Sequence, residues 1–194
     1  LSDMANSYEF EWATVTVAND KTGAILGNSS TPSYDPNILN ITNYNNPLVS
    51  YAYEPGSTMK IYSFMAAIEE GIYDGESTFM SGTKFIGKDR VNDWNRSGWG
   101  EITYDTGFTY SSNVAAADLG LALGRETLVD YYKKFGFGAK TVIEMANEYV
   151  GTINPVYDLD VANVAFGQGL TTTPIQNIQA LTSLANGGLV IKPY

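Results

Sequence analysis

The sequence predicts a fold of the α/β class (α+β type), in which an antiparallel sheet is flanked by helices and joined to an all-helical subdomain. Three observations lead to this prediction. A β-branched and aromatic run at positions 10–17 is followed by a turn, an apolar stripe with helical spacing follows Ser57, and two more helical blocks lie between residues 113 and 135. With 194 residues, of which 44% are hydrophobic, the chain is long enough to bury a core.

The first predicted element is a β-hairpin. Residues 10–17 form its first strand, residues 19–23 carry turn-forming Asn, Asp and Gly, and residues 24–26 begin the second strand. Residues 27–50 are rich in Asn, Ser and Pro and show little periodicity, which indicates a long irregular surface segment. Loops of that length are often functional.

The strongest helical pattern begins at Ser57. Apolar residues recur at positions 61, 64, 65 and 68, one face of a helix, and Gly71 ends the pattern. The pattern predicts a buried helix over residues 57–72 with Ser57 at its N-terminus. Residues 74–100, rich in Gly, charge and Trp, indicate loops or short strands.

Further helices follow toward the C-terminus. Residues 113–124 and 126–135 have helical patterns, so residues 73–172 are expected to be mostly helical. Thr173 then supplies an N-cap, Pro174 suits the first helical position, and Gln176 completes a capping box. Residues 189–191 resemble the beginning of a strand. We interpret residues 1–194 as one partial domain with segments 1–56, 57–72, 73–172 and 173–194.

The composition excludes several classes of function. The chain has 11 basic and 21 acidic side chains, a net charge of −10, which argues against a nucleic-acid partner because phosphate binding needs clustered Lys and Arg. It contains neither His nor Cys, so a Ser-His-Asp triad, a thiol nucleophile and a zinc site of the usual ligands are excluded. An enzymatic nucleophile and base must therefore come from Ser, Thr, Tyr, Lys, Asp or Glu.

A Ser-x-x-Lys pattern can supply both groups, because a serine and a lysine one helical turn apart can exchange a proton. It occurs twice, at Ser57–Lys60 and at Ser81–Lys84. Glycines follow Ser81 and would break a helix, whereas Ser57 opens the strongest one, so we select Ser57 as nucleophile and Lys60 as base. The alternative is an ordinary N-cap serine with a solvated lysine.

A second pattern, Ser111-Ser112-Asn113, lies at the start of the next helix. Ser111 could relay a proton between Lys60 and a leaving amine, while Asn113 hydrogen-bonds a substrate amide. The alternative is again a helix cap, because Ser and Asn are both favoured there.

Together these motifs resemble the class B penicillin-binding proteins, the D,D-transpeptidases that cross-link peptidoglycan. The strings that carry the resemblance occur in order along the chain: residues 54–60, Asp93-Trp94-Asn95, Gly98-Trp99-Gly100, Ser111-Ser112-Asn113, residues 166–170 and Thr173-Pro174. The resemblance implies the penicillin-binding-protein/β-lactamase-like serine transpeptidase fold, with Ser57 acylated, Lys60 as its base, Ser111 as relay, and Asn113 and Trp94 as substrate contacts. No metal or organic cofactor is implied.

The third motif of the family, Lys-(Ser/Thr)-Gly on a late strand, is not found at its expected place. Lys21-Thr22-Gly23 precedes Ser57 and is interpreted as a hairpin turn. We therefore expect the fold to be incomplete at the C-terminus, with a second chain or a missing segment completing the sheet, and the 194 residues alone to be inactive. The resemblance also implies a membrane-anchored protein whose catalytic domain lies outside the cytoplasm.

The leading functional hypothesis is a penicillin-sensitive D,D-transpeptidase, whose partners are peptidoglycan stem peptides and β-lactams. One alternative is a serine β-lactamase or β-lactam sensor of the same superfamily, although none of the 21 acidic residues stands out as a water-activating base. Another is a non-catalytic cell-wall binding module that uses its Tyr-rich, acidic surface.

Overall fold

The computed structural model describes the backbone of residues 1–194 and the side chains of all of them except residues 2 and 5. Its helices are α1 (Ser2–Ser7), α2 (Pro47–Ser50), α3 (Lys60–Glu69), α4 (Tyr104–Thr109), α5 (Asn113–Leu123), α6 (Arg125–Lys134), α7 (Asp158–Ala165) and α8 (Pro174–Ala185), with a 3-10 turn at Gly56–Met59. Its strands are β1 (Ala13–Ala18), β2 (Ile25–Thr31), β3 (Thr78–Met80), β4 (Thr83–Ile86), β5 (Asp89–Asn92), β6 (Glu101–Thr103), β7 (Thr152–Ile153) and β8 (Leu170–Thr171).

The described residues form two compact units. The first comprises Leu1–Tyr53, Phe135–Gly151 and Thr172–Tyr194, and the second comprises Glu54–Lys134 and Thr152–Thr171. The strands form antiparallel pairs, β1 with β2 in the first unit, and β3 with β6, β4 with β5 and β7 with β8 in the second. Among the described residues, no helix is both long enough and apolar enough for a membrane span.

The hairpin predicted for the first unit is present, with β1 and β2 antiparallel and a register shift between Val17 and Ala18. The second strand is longer than its sequence suggests, because it continues through a polar stretch. Asn28 Nδ2 donates across the ladder to Thr14 Oγ1 at 2.9 Å and to Thr16 Oγ1 at 2.8 Å. These polar cross-strand bonds support a strand that apolar patterning does not indicate.

Helix α8 of the first unit begins with the predicted capping box. Thr173 Oγ1 accepts from Gln176 N, and Gln176 Oε1 accepts from Thr173 N at 3.0 Å, with Pro174 in the first turn. Gln176 is fully buried, and its amide is satisfied there because it also donates to the backbone carbonyls of residues 139 and 150. Residues 189–191 are not assigned to a strand, but Tyr194 exchanges backbone hydrogen bonds with Gly23 and Ile25.

Helix α5 runs through the core of the second unit. Its residues 115–117 are completely buried, and Gly120 allows α7 to approach so closely that an added Cβ would lie 2.5 Å from Ala165 Cβ. Residues 73–172 were expected to be mostly helical, but α4 to α7 cover less than half of them; β3 to β6 precede α4, and β7 and β8 lie on either side of α7. This arrangement brings the start of α5 beside the start of α3.

Candidate active site

Ser57 lies on the 3-10 turn that precedes α3. The turn is continuous with the helix, because Lys60 N donates to Ser57 O. Pro55 and Met59 are buried, whereas Ser57 itself is exposed. The buried neighbours therefore anchor the turn and leave Ser57 exposed at the N-terminal end of α3, where free backbone N–H groups favour negative charge.

Lys60, the first residue of α3, is buried, with 3% of its surface exposed. Its Nζ donates to Ser111 O at 2.5 Å, to Ser111 Oγ at 3.0 Å and to Asn113 Oδ1 at 2.8 Å. Burial lowers the pKa of Lys60 from 10.5 to about 8, and the carboxylate of Asp93 opposes that effect. An amine with a pKa of about 8 is about one-tenth neutral at pH 7, which is sufficient for a general base.

The hydrogen bonds of Lys60 connect it to Ser111 and Asn113, and among the described side chains none joins it to Ser57. Catalytic hydrogen bonds in unliganded sites are often long and tighten only when substrate binds. The geometry thus brings Lys60, Ser111 and Asn113 together, and places Ser57 one turn away on the adjoining 3-10 segment.

Ser111 has a left-handed backbone, with φ of 57°. That conformation costs a non-glycine residue about 1 kcal/mol or more. It lets the carbonyl and the hydroxyl of the same residue both accept from Lys60. The strained residue therefore lies where the proton relay was predicted.

Only one residue of the Ser111-Ser112-Asn113 motif is a helix cap. Ser112 Oγ accepts from Ala115 N at 3.0 Å and so caps α5. The Asn113 side chain instead bonds two other residues: its Oδ1 accepts from Lys60 Nζ, and its Nδ2 donates to Asn92 O at 2.9 Å. The capping alternative accounts for Ser112 and leaves the other two side chains directed at Lys60.

Asp93 is a site residue whose role no local sequence pattern predicts. It is 1% exposed, and its Oδ1 accepts from Ser112 Oγ at 2.8 Å and from Val114 N at 3.1 Å, while Oδ2 accepts from Gly82 N at 2.7 Å. Because the carboxylate is buried and fully hydrogen-bonded, it fixes the start of α5 and supplies the negative charge that raises the pKa of Lys60. The only sequence signal was its place in the string Asp93-Trp94-Asn95.

Trp94 is 68% exposed rather than part of the core. Its Nε1 donates to Tyr110 O at 3.0 Å, and its ring meets Trp99 edge-on with centroids 5.9 Å apart. Trp99 in turn packs against Tyr110 at 5.0 Å. These three aromatic rings form a surface beside Asp93 and Ser111, so Trp94 is available for contact with a ligand.

The second Ser-x-x-Lys pattern serves the fold. Ser81 Oγ donates to Gly100 O and accepts from Trp99 N, both at 2.7 Å, just before β4. Lys84, on β4, pairs with Asp118 at 2.5 Å. Ser81 and Lys84 are thus each engaged with other partners.

The Lys21-Thr22-Gly23 string forms the predicted hairpin turn. Asn19 Oδ1 accepts from the backbone N–H groups of Lys21 and Thr22, and Gly23 has a φ of 81°. Lys21 is not only solvated, because its Nζ donates to Ala185 O at the end of α8, where a cation is favourable.

A family model described as the penicillin binding protein transpeptidase domain matches residues 13–194. The chain belongs to the penicillin-binding protein transpeptidase family. The resemblance predicted from the ordered motifs is thereby confirmed, and with it the fold class.

Individual penicillin-binding proteins agree with this assignment. Stage V sporulation protein D of Bacillus subtilis (strain 168) is 36% identical, over all of this chain and 31% of that protein. Peptidoglycan D,D-transpeptidase MrdA of Escherichia coli (strain K12) is 31% identical, over 94% of this chain and 34% of that protein. The crystal structure of penicillin binding protein 2X from Streptococcus thermophilus has a TM-score of 0.85 and 32% identity, covering 94% of this chain and 28% of its own. The chain thus spans about a third of the length of these curated relatives.

The chemistry available to the site follows from these groups. The second unit contains an exposed serine, Ser57, and a buried amine whose pKa is lowered to about 8. It also contains a second hydroxyl that accepts a hydrogen bond from that amine, and a buried carboxylate that raises the pKa of the amine. Such a set can abstract, hold and return a proton without an imidazole.

Proposed function

We propose that this chain carries the acylation centre of a peptidoglycan D,D-transpeptidase, with Ser57 as nucleophile and Lys60 as general base. The observation that carries the proposal is the buried Lys60, whose pKa is lowered to about 8 and whose amine contacts Ser111 and Asn113. Ser57, which is itself exposed, lies one turn before it.

The first half-reaction transfers an acyl group to Ser57. Neutral Lys60 accepts the Ser57 hydroxyl proton as Oγ attacks the carbonyl carbon of the penultimate D-Ala of a stem peptide. The tetrahedral intermediate collapses by breaking the C–N bond, and the leaving D-Ala nitrogen takes a proton through Ser111, which is bonded to Lys60 Nζ. The acyl-enzyme and free D-Ala are the products, and Lys60 is neutral again.

The second half-reaction reverses the proton movement. An amine of a second stem peptide attacks the acyl carbon, gives up a proton to Lys60, and displaces Ser57 Oγ, which regains its proton. Asn113 and the aromatic surface at Trp94 are proposed to contact the first stem peptide, which acylates Ser57. The steps need no metal or organic cofactor, because proton transfer and hydrogen bonding suffice.

β-Lactams react at the same serine in this proposal, since opening of the ring by Ser57 gives an acyl-enzyme without a diffusible leaving group. The proposal also holds that the substrate carboxylate is bound by a Lys-(Ser/Thr)-Gly strand from a second chain or a segment outside residues 1–194, and that the protein is membrane-anchored and acts outside the cytoplasm. The names of the relatives, one of them a peptidoglycan D,D-transpeptidase, support the substrate class.

The proposal is tested with the protein expressed from its full reading frame. Intact mass after incubation with benzylpenicillin is expected to rise by the mass of one penicillin, and Ser57→Ala is expected to abolish the adduct. Ser81→Ala, which alters the other Ser-x-x-Lys pattern, is the matched control and is expected to keep it. A wild-type protein that forms no adduct contradicts the proposal, and rapid turnover of a chromogenic cephalosporin would favour the β-lactamase alternative.

A further inference from the structure

The loop that follows α7 lies directly against the backbone before Ser57. Gly56 N donates to Gly167 O at 3.0 Å, and Gly169 N donates to Glu54 Oε1 at 2.9 Å. The loop thus contacts both residues that flank Pro55, on the segment that leads into the nucleophile turn. None of these contacts takes part in the proton transfers proposed above.

Gly167 has two reasons to be glycine. Its φ is 87°, and a Cβ added there would lie 1.9 Å from Gly56 O and 2.5 Å from Gly56 C. Both atoms are backbone, so no side-chain rotation can relieve the overlap. The absence of a side chain at residue 167 is therefore what allows the loop to lie on the Ser57 turn.

The same loop is anchored to the helix that carries Lys60. Ser63, one turn after Lys60 on α3, donates to Ala165 O at 2.6 Å. Tyr132 OH, 2.8 Å from Ser63 Oγ, donates to Val164 O at 2.9 Å. The end of α7 is thus fixed to α3, and the loop after it returns to the turn before α3.

We propose that Glu54 is a positioning residue for acylation, which seats the glycine loop on the Ser57 turn and so sets the place of Ser57 Oγ relative to Lys60. The inference rests on the proposed role of Ser57 as nucleophile. Glu54 is exposed, so its carboxylate adds little to the core, and its contact with a backbone N–H at 2.9 Å is a charge-assisted hydrogen bond. Its removal should displace the turn more than it lowers the stability of the fold.

The test compares Glu54→Ala with Glu54→Gln in the protein expressed from its full reading frame. The dependence of the acylation rate on penicillin concentration separates the dissociation constant from the first-order acylation constant. For Glu54→Ala we expect the acylation constant to fall about tenfold or more, since small displacements of a reacting group cost up to about 100-fold. The dissociation constant should change little. Glu54→Gln should recover most of the rate, because its amide oxygen can still accept from Gly169 N.

Glu126→Ala is the charge-matched control, because the Glu126 side chain is 92% exposed and lies 3.8 Å from its partner Arg125. It should acylate like the wild type. Wild-type acylation by Glu54→Ala, or an equal loss in Glu54→Ala and Glu54→Gln, would overturn the positioning role. Failure of the wild type itself to be acylated would instead contradict the proposed function, and with it the role of Glu54.

Gly167→Ala tests the close contact, with Gly124→Ala as its control. Both glycines have a positive φ, 87° and 76°, but an added Cβ at residue 124 has no heavy atom within 4 Å. A positive φ disfavours alanine at both positions, but only at residue 167 does the added Cβ meet the backbone before Ser57, so only Gly167→Ala should lose acylation. Equal acylation constants in the two variants would contradict the inference, and if Gly167→Ala does not fold, the Glu54 pair decides.

Discussion

The substitution Asp93→Asn is expected to move the pH dependence of acylation. In the wild type, acylation needs neutral Lys60, so its rate should rise with pH and reach half of its plateau near the lowered pKa, about 8. The rate at pH 7 should then be about one-tenth of the plateau and the rate at pH 9 about nine-tenths.

The direction of the change in the variant follows from charge. The Asp93 carboxylate favours the protonated amine and raises the pKa of Lys60 against the effect of burial. Replacing it with a neutral amide removes that support, so the midpoint should fall below 8. A nearby opposite charge changes the pKa of a group by about 1 or more. A fall of about 1 unit would bring the variant to about one-half of its own plateau at pH 7.

The assay is the second-order acylation constant for benzylpenicillin, measured from pH 6 to pH 10. The plateau should also fall, because an amide cannot accept all three hydrogen bonds that the carboxylate accepts from Gly82, Ser112 and Val114. The midpoint is therefore the diagnostic quantity. Asp130→Asn, which removes an exposed carboxylate paired with Lys134, is the control and should leave the midpoint in place. A midpoint that stays constant or rises in Asp93→Asn would show that the Asp93 carboxylate does not raise the pKa of Lys60.

Three further predictions concern stability. The pKa of Lys60 is about 8 in the folded state and 10.5 ordinarily, so the folded state loses the proton first as the pH rises. Between pH 8 and 10.5 the free energy of unfolding of the wild type should therefore rise by about 3 kcal/mol relative to that of Lys60→Met, which urea unfolding across that range measures. An equal pH dependence of the two proteins would contradict the lowered pKa. Ser112→Ala removes the cap of α5 and a partner of Asp93, and should lower the free energy of unfolding by about 1–2 kcal/mol, whereas no loss would remove the capping role. Ser111→Gly should be more stable than Ser111→Ala by about 1 kcal/mol, because only glycine relieves the positive φ; equal stabilities would show that the residue is unstrained.

Structural features that depend on only a few neighbouring residues could be predicted from the sequence. Thr173 and Gln176 form the two hydrogen bonds of the capping box with each other, and α8 begins there as predicted. The turn at residues 19–23 was predictable for the same reason, since Asn19 and Gly23 satisfy it locally. β2 continued beyond its predicted extent because its support comes from side chains on the neighbouring strand.

The site could be predicted only in part, because its geometry depends on residues far apart in sequence. Ser57, Lys60, Ser111 and Asn113 were recognisable as residue types in ordered motifs. The role of Asp93 depends on hydrogen bonds to Gly82, 11 residues before it, and to Ser112, 19 residues after it. The positive φ of Ser111 and the fit of Gly167 against Gly56 depend on tertiary packing, which no local pattern encodes.

Ser57, and no other serine, is expected to be the acylated residue. Peptide mapping of the penicillin-treated protein distinguishes Ser57 from the other serines, because the residue that carries the penicilloyl group is located by fragment masses. We expect a single modified residue, Ser57, in the peptide that also contains Lys60. A penicilloyl group on Ser81, on Ser111 or on any residue other than Ser57 would contradict it.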